Sequence, residues 1–188
     1  GSTETNVTCV RVGNVLGSNG SILSLIKSCL PRGKPVPVTD PSMTRFFMTI
    51  PEAVRLVLDA AAHGKGQEVF VLKMPAARLG DVVTEAISYY SRRFGKHQSD
   101  VRTVRIGKRT GEKMHEKLLA DYELPAALET KTMYILTPHG RAFSEYTAVY
   151  PAVPVESGSR GVSSEFARKL SRAELRARIE EADRNHLM

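Results

Sequence analysis

Arg11-Val12-Gly13-Asn14-Val15-Leu16-Gly17-Ser18-Asn19-Gly20-Ser21 is the stretch on which the reading of this sequence turns. It reads as a buried β-strand that breaks into a glycine-rich turn and then a helix. The strand reading rests on β-branched Val7, Thr8, Val10 and Val12. Glycines at 13, 17 and 20 allow a tight turn and a close approach of backbone to ligand. Ser21 is placed to cap a helix beginning near Ile22, so that free N–H groups would face the turn. That geometry suits a phosphate. The spacing is G-x-x-x-G-x-x-G, which is not the dinucleotide fingerprint G-x-G-x-x-G. A second cluster, Arg109–Glu116 (RTGEKMHE), offers the other side of a nucleotide grip. Taken alone, it reads as a solvated helix start, with Glu112 and Glu116 favouring a helix N-terminus.

Outward from this stretch, helical and extended patterns alternate. Ile22, Leu23, Leu25, Ile26 and Leu30 predict a buried helix, ended by Pro31 and Gly33. Arg45–Ile50 predicts a short strand. Thr49-Ile50-Pro51-Glu52 then reads as a capping box before a helix with Val54, Val57, Leu58 and Ala61 at helical spacing. Glu68–Leu72 predicts a strand buried on both faces. A helix is expected over 79–94, a half-exposed strand over 101–106, a short helix over 111–119 and a strand over 133–137. Pro138–Gly161 has no clear period and reads as a loop or arm. Ser171 and Glu174 form a second capping box that opens the last helix.

The 188 residues carry 27 Lys and Arg against 20 Asp and Glu, a net charge of +7, which permits nucleic acid, membrane surfaces or phosphate-bearing small molecules as partners. The basic residues are dispersed among acids rather than massed in one block, as on a solvated face, so no specific nucleic-acid recognition is expected. No apolar run approaches the length of a membrane span, so no membrane contact is expected of this segment. Cys9 and Cys29 make no disulfide framework, which points to a reducing cytoplasm. The histidines at 63, 97, 115, 139 and 186 show no metal-ligand spacing, so no metal site is expected.

Three motifs in one order carry a resemblance. Arg11–Ser21 (RVGNVLGSNGS), Val38–Ala53 (VTDPSMTRFFMTIPEA) and Arg109–Glu116 resemble the C-terminal half of UDP-N-acetylglucosamine 4,6-dehydratases of polysaccharide and flagellin-glycan biosynthesis. These are extended short-chain dehydrogenase/reductases. Ser164–Leu175 (SEFARKLSRAEL) resembles the family's closing helix. The implied fold is α/β, the C-terminal part of an extended Rossmann-like enzyme and mostly its substrate-binding lobe. The implied organisation is a cloning scar at residues 1–2, the sheet end and substrate lobe over 3–137, an arm over 138–162 and a helical segment over 163–188. The resemblance implies that the full enzyme is a homo-oligomer.

The resemblance also implies roles. Such enzymes oxidise the sugar at C4, eliminate water across C5 and C6, and return the hydride to C6, with NAD(P) as hydride store. Their dinucleotide turn and Tyr-x-x-x-Lys pair have no counterpart in these 188 residues, so no catalytic residue is assigned, NAD(P) would be held mainly outside the segment, and the segment alone should be inactive. The expected contribution is substrate grip on a UDP-sugar. Asn14 would contact the nucleotide sugar, and Val15 would lie near the nicotinamide. Asn19, Gly20, Ser21, Ile22 and Leu23 would lie over the sugar nucleotide. Arg45 and Phe47 would add substrate contacts, with an ion pair to Asp40 and core packing as their respective alternatives. Arg109 would pair with the diphosphate, and Glu112 would accept from ribose hydroxyls. Thr110 stands where the family often has Pro, and Val12 where it often has an aromatic residue. A 4-epimerase of the same superfamily and a non-catalytic nucleotide- or nucleic-acid-binding module are the competing readings.

Overall fold

The structure is a computed structural model describing residues 5–140, 142–148, 151–156 and 161–185. The expected scar, Gly1 and Ser2, lies outside the described residues. In chain order the elements are β1 Cys9–Arg11, β2 Asn14–Val15, α1 Ile22–Cys29, β3 Val36–Val38, β4 Thr44–Met48, α2 Ile50–His63, β5 Val69–Leu72, β6 Ala76–Arg78, α3 Leu79–Arg93, β7 Thr103–Arg105, β8 Ala127–Glu129, β9 Met133–Leu136, α4 Ser144–Thr147, β10 Val153–Pro154 and α5 Arg172–Asn185. Short 3-10 turns occupy Gln98–Asp100 and Asp121–Ala126. The chain forms two compact units that interleave in sequence. The first takes the chain up to Gly13, Pro51–Met74 and Lys117–Ser163, and the second takes Asn14–Ile50, Pro75–Glu116 and the chain from Ser164 on.

The first unit is built on a five-stranded sheet of order β1-β5-β9-β8-β10. β1 runs parallel to β5, with Val10 opposite Phe70, and the other pairs are antiparallel. Phe70, Leu128 and Ile135 meet Leu56 and Ala60 of α2 and Tyr146 of α4 in its core. The apolar run of β5 is explained by its central place, flanked by strands on both edges. Glu68, fully buried, closes the turn after α2. Its carboxylate accepts from the backbone N–H groups of Lys65 and Gly66, each at 2.8 Å, from Thr8 Oγ1 at 2.9 Å and from the Tyr146 hydroxyl at 3.0 Å. Burial alone would raise its pKa, but these donors hold it below the ordinary glutamate value.

The second unit holds a three-stranded sheet, β2-β4-β6, and a parallel pair, β3 with β7. Asn14 lies opposite Phe47 and Val15 opposite Met48, while β4 pairs antiparallel with β6. Helices α1, α3 and α5 cover one core of Leu16, Leu23, Ile26, Val82, Ala86, Tyr90, Leu175, Ile179 and Ala182. The Ser171 box forms as expected: Ser171 N–H donates to Glu174 Oε2 at 2.8 Å and Glu174 N–H to Ser171 Oγ at 3.2 Å. These two bonds, with Arg168, lower the Glu174 pKa to about 2.

Three sequence expectations are corrected. The opening stretch is not one buried strand: β1 is three residues long, Val7 and Val12 are 65% and 44% exposed, and Asn14 and Val15 belong to a different sheet. The chain turns at Gly13 because each half finds its own parallel partner. The helix expected over 111–119 does not form. Gly111 takes φ +80°, outside the helical region, and the following backbone is committed elsewhere. Met114 C=O accepts from Thr44 N–H at 2.9 Å, and Glu116 C=O accepts from Ser164 N–H at 2.8 Å. Strand β7 is exposed along its whole length rather than alternately. Within the expected arm, the described residues supply α4 and β10, two elements too short for a sequence period to reveal.

Candidate functional site

The opening stretch does form a turn that leads into a helix. Leu16 N–H donates to Met48 C=O at 2.9 Å, anchoring the turn to β4. Gly17 and Gly20 adopt φ +81° and +75°, the left-handed region where glycine carries no side-chain penalty. Ser21 N–H donates to Ser18 C=O, and Ser21 Oγ accepts from Ser24 N–H at 3.5 Å as the cap of α1. Ile22 and Leu23, the first helical residues, have backbone N–H groups with no intrahelical acceptor. The positive end of the helix therefore looks out of the turn.

A cleft of about 350 Å³ opens there, wholly within the second unit. Asn14, Val15, Asn19, Gly20, Ser21, Ile22, Arg45, Phe47, Arg109 and Glu112 all line it. The structure thus brings together three segments far apart in sequence. Leu23 is the exception among the expected residues: its side chain is 1% exposed and lies in the core, because residues 23 and 26 share the inner face of α1 while 22 and 25 face the cleft. Only its backbone N–H is left at the helix end.

The polar groups of the cleft divide into two sets. Asn14, Asn19 and Arg109 make no side-chain hydrogen bond or ion pair among the described residues. They are the groups free to bind. Arg45 and Glu112 are already committed. Arg45 is 8% exposed; it donates through Nη1 to Thr44 C=O at 2.9 Å and Met114 C=O at 3.2 Å, and through Nη2 to Glu112 Oε1 at 3.2 Å. Glu116 lies 3.7 Å from its Nε. The alternative pairing of Arg45 with Asp40 is not found, because Asp40 caps Ser42 and pairs with Arg105. Hydrogen bonds from Ser42 are the main cause of the low Asp40 pKa. Phe47 is 2% exposed and belongs to the core, so the core-packing alternative describes most of its surface while one side still meets the cleft.

The sequence missed the apolar wall of the cleft. Pro37, Val38, Leu25, Leu79 and Ile106 line it together with Thr39. Ile106, 51% exposed, carried no signal in the sequence, because single exposed aliphatic residues are common on protein surfaces. Leu25 lies on α1 itself; Pro37, Val38 and Leu79 come from β3 and α3, whose approach to α1 no local pattern encodes. Among the described residues no group of three or more His, Cys, Asp or Glu is placed to hold a metal ion, and no helix is long and apolar enough to cross a membrane.

Comparison with known proteins fits this arrangement. A family profile described as polysaccharide biosynthesis protein matches residues 1–138. The chain belongs to that family. An uncharacterized membrane protein of Methanocaldococcus jannaschii is 43% identical over 140 residues, 74% of this chain and 42% of that protein. UDP-glucose 4-epimerase of Rickettsia rickettsii is 35% identical over 140 residues, 74% of this chain and 39% of that enzyme. The X-ray structure of Pen from Bacillus thuringiensis matches with a TM-score of 0.84 at 33% identity, covering 97% of this chain and 52% of that one. The chain thus spans less than half the length of those two curated relatives. Its architecture is the mixed α/β one expected, the C-terminal part of an extended Rossmann-like short-chain dehydrogenase/reductase.

Proposed function

We propose that this chain is the substrate-binding portion of a nucleotide-sugar 4,6-dehydratase that acts on a UDP-N-acetylglucosamine-type sugar in surface polysaccharide or glycan biosynthesis. One observation carries the reading: the only uncommitted polar side chains among those expected at the site, Asn14, Asn19 and Arg109, converge with the N-terminus of α1 on one cleft. A helix N-terminus and an unpaired guanidinium are complementary to a diphosphate. The apolar wall beside them suits the flat face of a nucleobase or the ring of a sugar. Family membership supports the same substrate class.

The residues present do not make a dinucleotide site. Val15 is the one cleft residue assigned to the nicotinamide side, and the sequence has neither the dinucleotide turn G-x-x-G-x-x-G nor a Tyr-x-x-x-Lys pair. No chemical step is therefore routed through NAD(P) here. These residues bind and orient; the hydride store and the base at C5 would come from other parts of the full-length protein.

A 4-epimerase is the second reading, favoured by the relative that bears that name. The two differ in product. Full-length protein incubated with UDP-N-acetylglucosamine and NAD(P) should yield a 4-keto-6-deoxy sugar nucleotide that has lost one water. A C4 epimer of unchanged mass would establish the second reading instead. Absence of any UDP binding would overturn both.

A further inference from the structure

We infer that Ala182 and Asp183 of the last helix are positioning residues for the substrate turn, so that α5 is part of the binding machinery. The inference rests on the UDP-sugar reading above and extends it to a segment, 164–185, that lies beyond the residues matched by the family profile.

Two independent contacts carry it. The first is steric. Gly17, at the bend of the turn, is buried, and a Cβ placed on it would lie 3.1 Å from Ala182 Cβ and 3.2 Å from Ala182 C=O. The turn therefore rests directly on Ala182, against both its methyl group and its backbone carbonyl. Interiors are packed too closely for such a contact to yield freely. A larger residue at 182 must push Gly17, and Gly17 is two residues from Asn19 and four from the capping Ser21.

The second contact is polar and lies one residue on. Asp183 is 1% exposed. Its Oδ1 accepts from Lys27 Nζ of α1 at 2.8 Å, and its Oδ2 accepts from Arg93 Nη1 at 2.5 Å and the Tyr89 hydroxyl at 3.2 Å, both of α3. Lys27 sits in the last turn of the helix whose first turn faces the cleft. Asp183 thus fixes the far end of α1 while Ala182 supports the turn before its near end. Leu16, Leu23 and Ile26 pack in the same core as Leu175, Ile179 and Ala182, which fills the space between the two contacts. With both ends fixed, the direction in which the N–H groups of Ile22 and Leu23 point is set by α5.

The test uses the full-length protein with UDP as the binding probe. Ala182→Val should weaken UDP binding five- to tenfold and raise KM for the sugar nucleotide in step, with kcat within twofold. It should also speed amide hydrogen exchange at residues 17–22 in the absence of ligand. Ala182→Ser, which adds no branch, should restore most of the binding. Ile135→Ala, a cavity in the core of the first unit, should lower the melting temperature without changing the UDP Kd. Loss of melting temperature in Ala182→Val with Kd and exchange at 17–22 unchanged would reduce α5 to a packing element and overturn the inference. If Ala182→Val does not fold, the same two readouts on Asp183→Asn decide it: faster exchange at 17–22 with weaker UDP binding supports the inference, and unchanged exchange and Kd overturn it. Arg109→Ala separates the two levels. If that variant leaves UDP binding intact, the nucleotide reading falls, while the exchange measurement still judges the coupling of α5 to the turn.

Discussion

Glu112 holds Arg45 rather than standing free in the cleft. Its Oε1 lies 3.2 Å from Arg45 Nη2, and its Oε2 accepts from the backbone N–H of Arg109 at 3.1 Å. One carboxylate therefore braces a buried cation on β4 and closes the turn that presents Arg109. A role toward ribose would have to be shared with these two duties. Glu112→Gln keeps an acceptor for one of them and removes the countercharge of Arg45. It should destabilise the protein by about 1–3 kcal/mol, the cost of a compromised buried bond to a charged group. Denaturant unfolding of the variant checks this, and a midpoint equal to that of wild type would mean the pair contributes nothing.

Arg109 carries the diphosphate in the proposed reading and has no ion pair among the described residues to lose. Arg109→Ala should therefore leave stability nearly unchanged while weakening UDP binding by about 1.5–3 kcal/mol, roughly ten- to a hundredfold. Arg109→Lys should recover only part, since an ammonium lacks the two-pronged donor geometry. Titration calorimetry with UDP distinguishes the three proteins.

Gly17 and Gly33 provide a matched comparison. Both have positive φ, +81° and +62°, but a Cβ at Gly33 meets nothing within 4 Å while one at Gly17 meets Ala182. Gly33→Ala should cost about 1–2 kcal/mol, the strain of the left-handed region alone. Gly17→Ala should cost about 1–3 kcal/mol more, as overpacking does. Equal melting temperatures for the two variants would show that α5 yields at Ala182.

Acid should release α5. Asp183 would be raised by burial but is lowered overall by Lys27 and Arg93. Glu85 is likewise raised by burial and lowered overall by Arg172 Nε at 2.7 Å and Arg176 Nη1 at 2.5 Å. A carboxylate whose folded pKa is depressed binds its proton more readily when unfolded. The stability it contributes is present in full above the unfolded pKa of about 4 and is lost as pH falls through that value to the lower folded one. Stability should be flat in this term above about pH 5 and decline below about pH 4. Asp183→Asn should flatten the decline, and a profile identical to that of wild type would exclude Asp183 as its source.

Glu68 makes a similar statement in the other unit. Glu68→Gln replaces an all-acceptor group by one whose NH₂ must face a donor from Thr8, Tyr146 or the 65–66 backbone. A loss of about 2–4 kcal/mol is expected, with Tyr146→Phe costing about 1 kcal/mol because one donor is removed cleanly. Chemical denaturation measures both; a Gln variant as stable as wild type would mean that the turn rearranges.

The parts of this molecule legible in the sequence are those whose cause is local. α1 and α3 show their apolar face at helical spacing, and the Ser171 and Glu174 pair announces the start of α5 within four residues. The residues of Lys113–Glu116 are good helix formers, yet their backbone is bonded to Thr44 and Ser164, partners far away in sequence. The same holds for the cleft. Its glycine turn and charged turn could be found because glycine and arginine carry distinctive chemistry. Its Pro37 and Leu79 wall could not, because there the lining role is a consequence of how β3 and α3 approach α1. Leu23 shows the finer limit: the motif located a segment that lines the cleft, and only the phase of the helix decided which of its side chains turn inward.

The six alternating stretches of the two units leave five joins between them. No contiguous cut of the gene contains either unit alone. The lining of the cleft falls between Asn14 and Glu112, so a single crossover inside that span exchanges part of the walls and one outside it leaves them whole. A cassette that carries the whole lining must therefore also carry Pro51–Met74, a stretch of the other unit, into its new host.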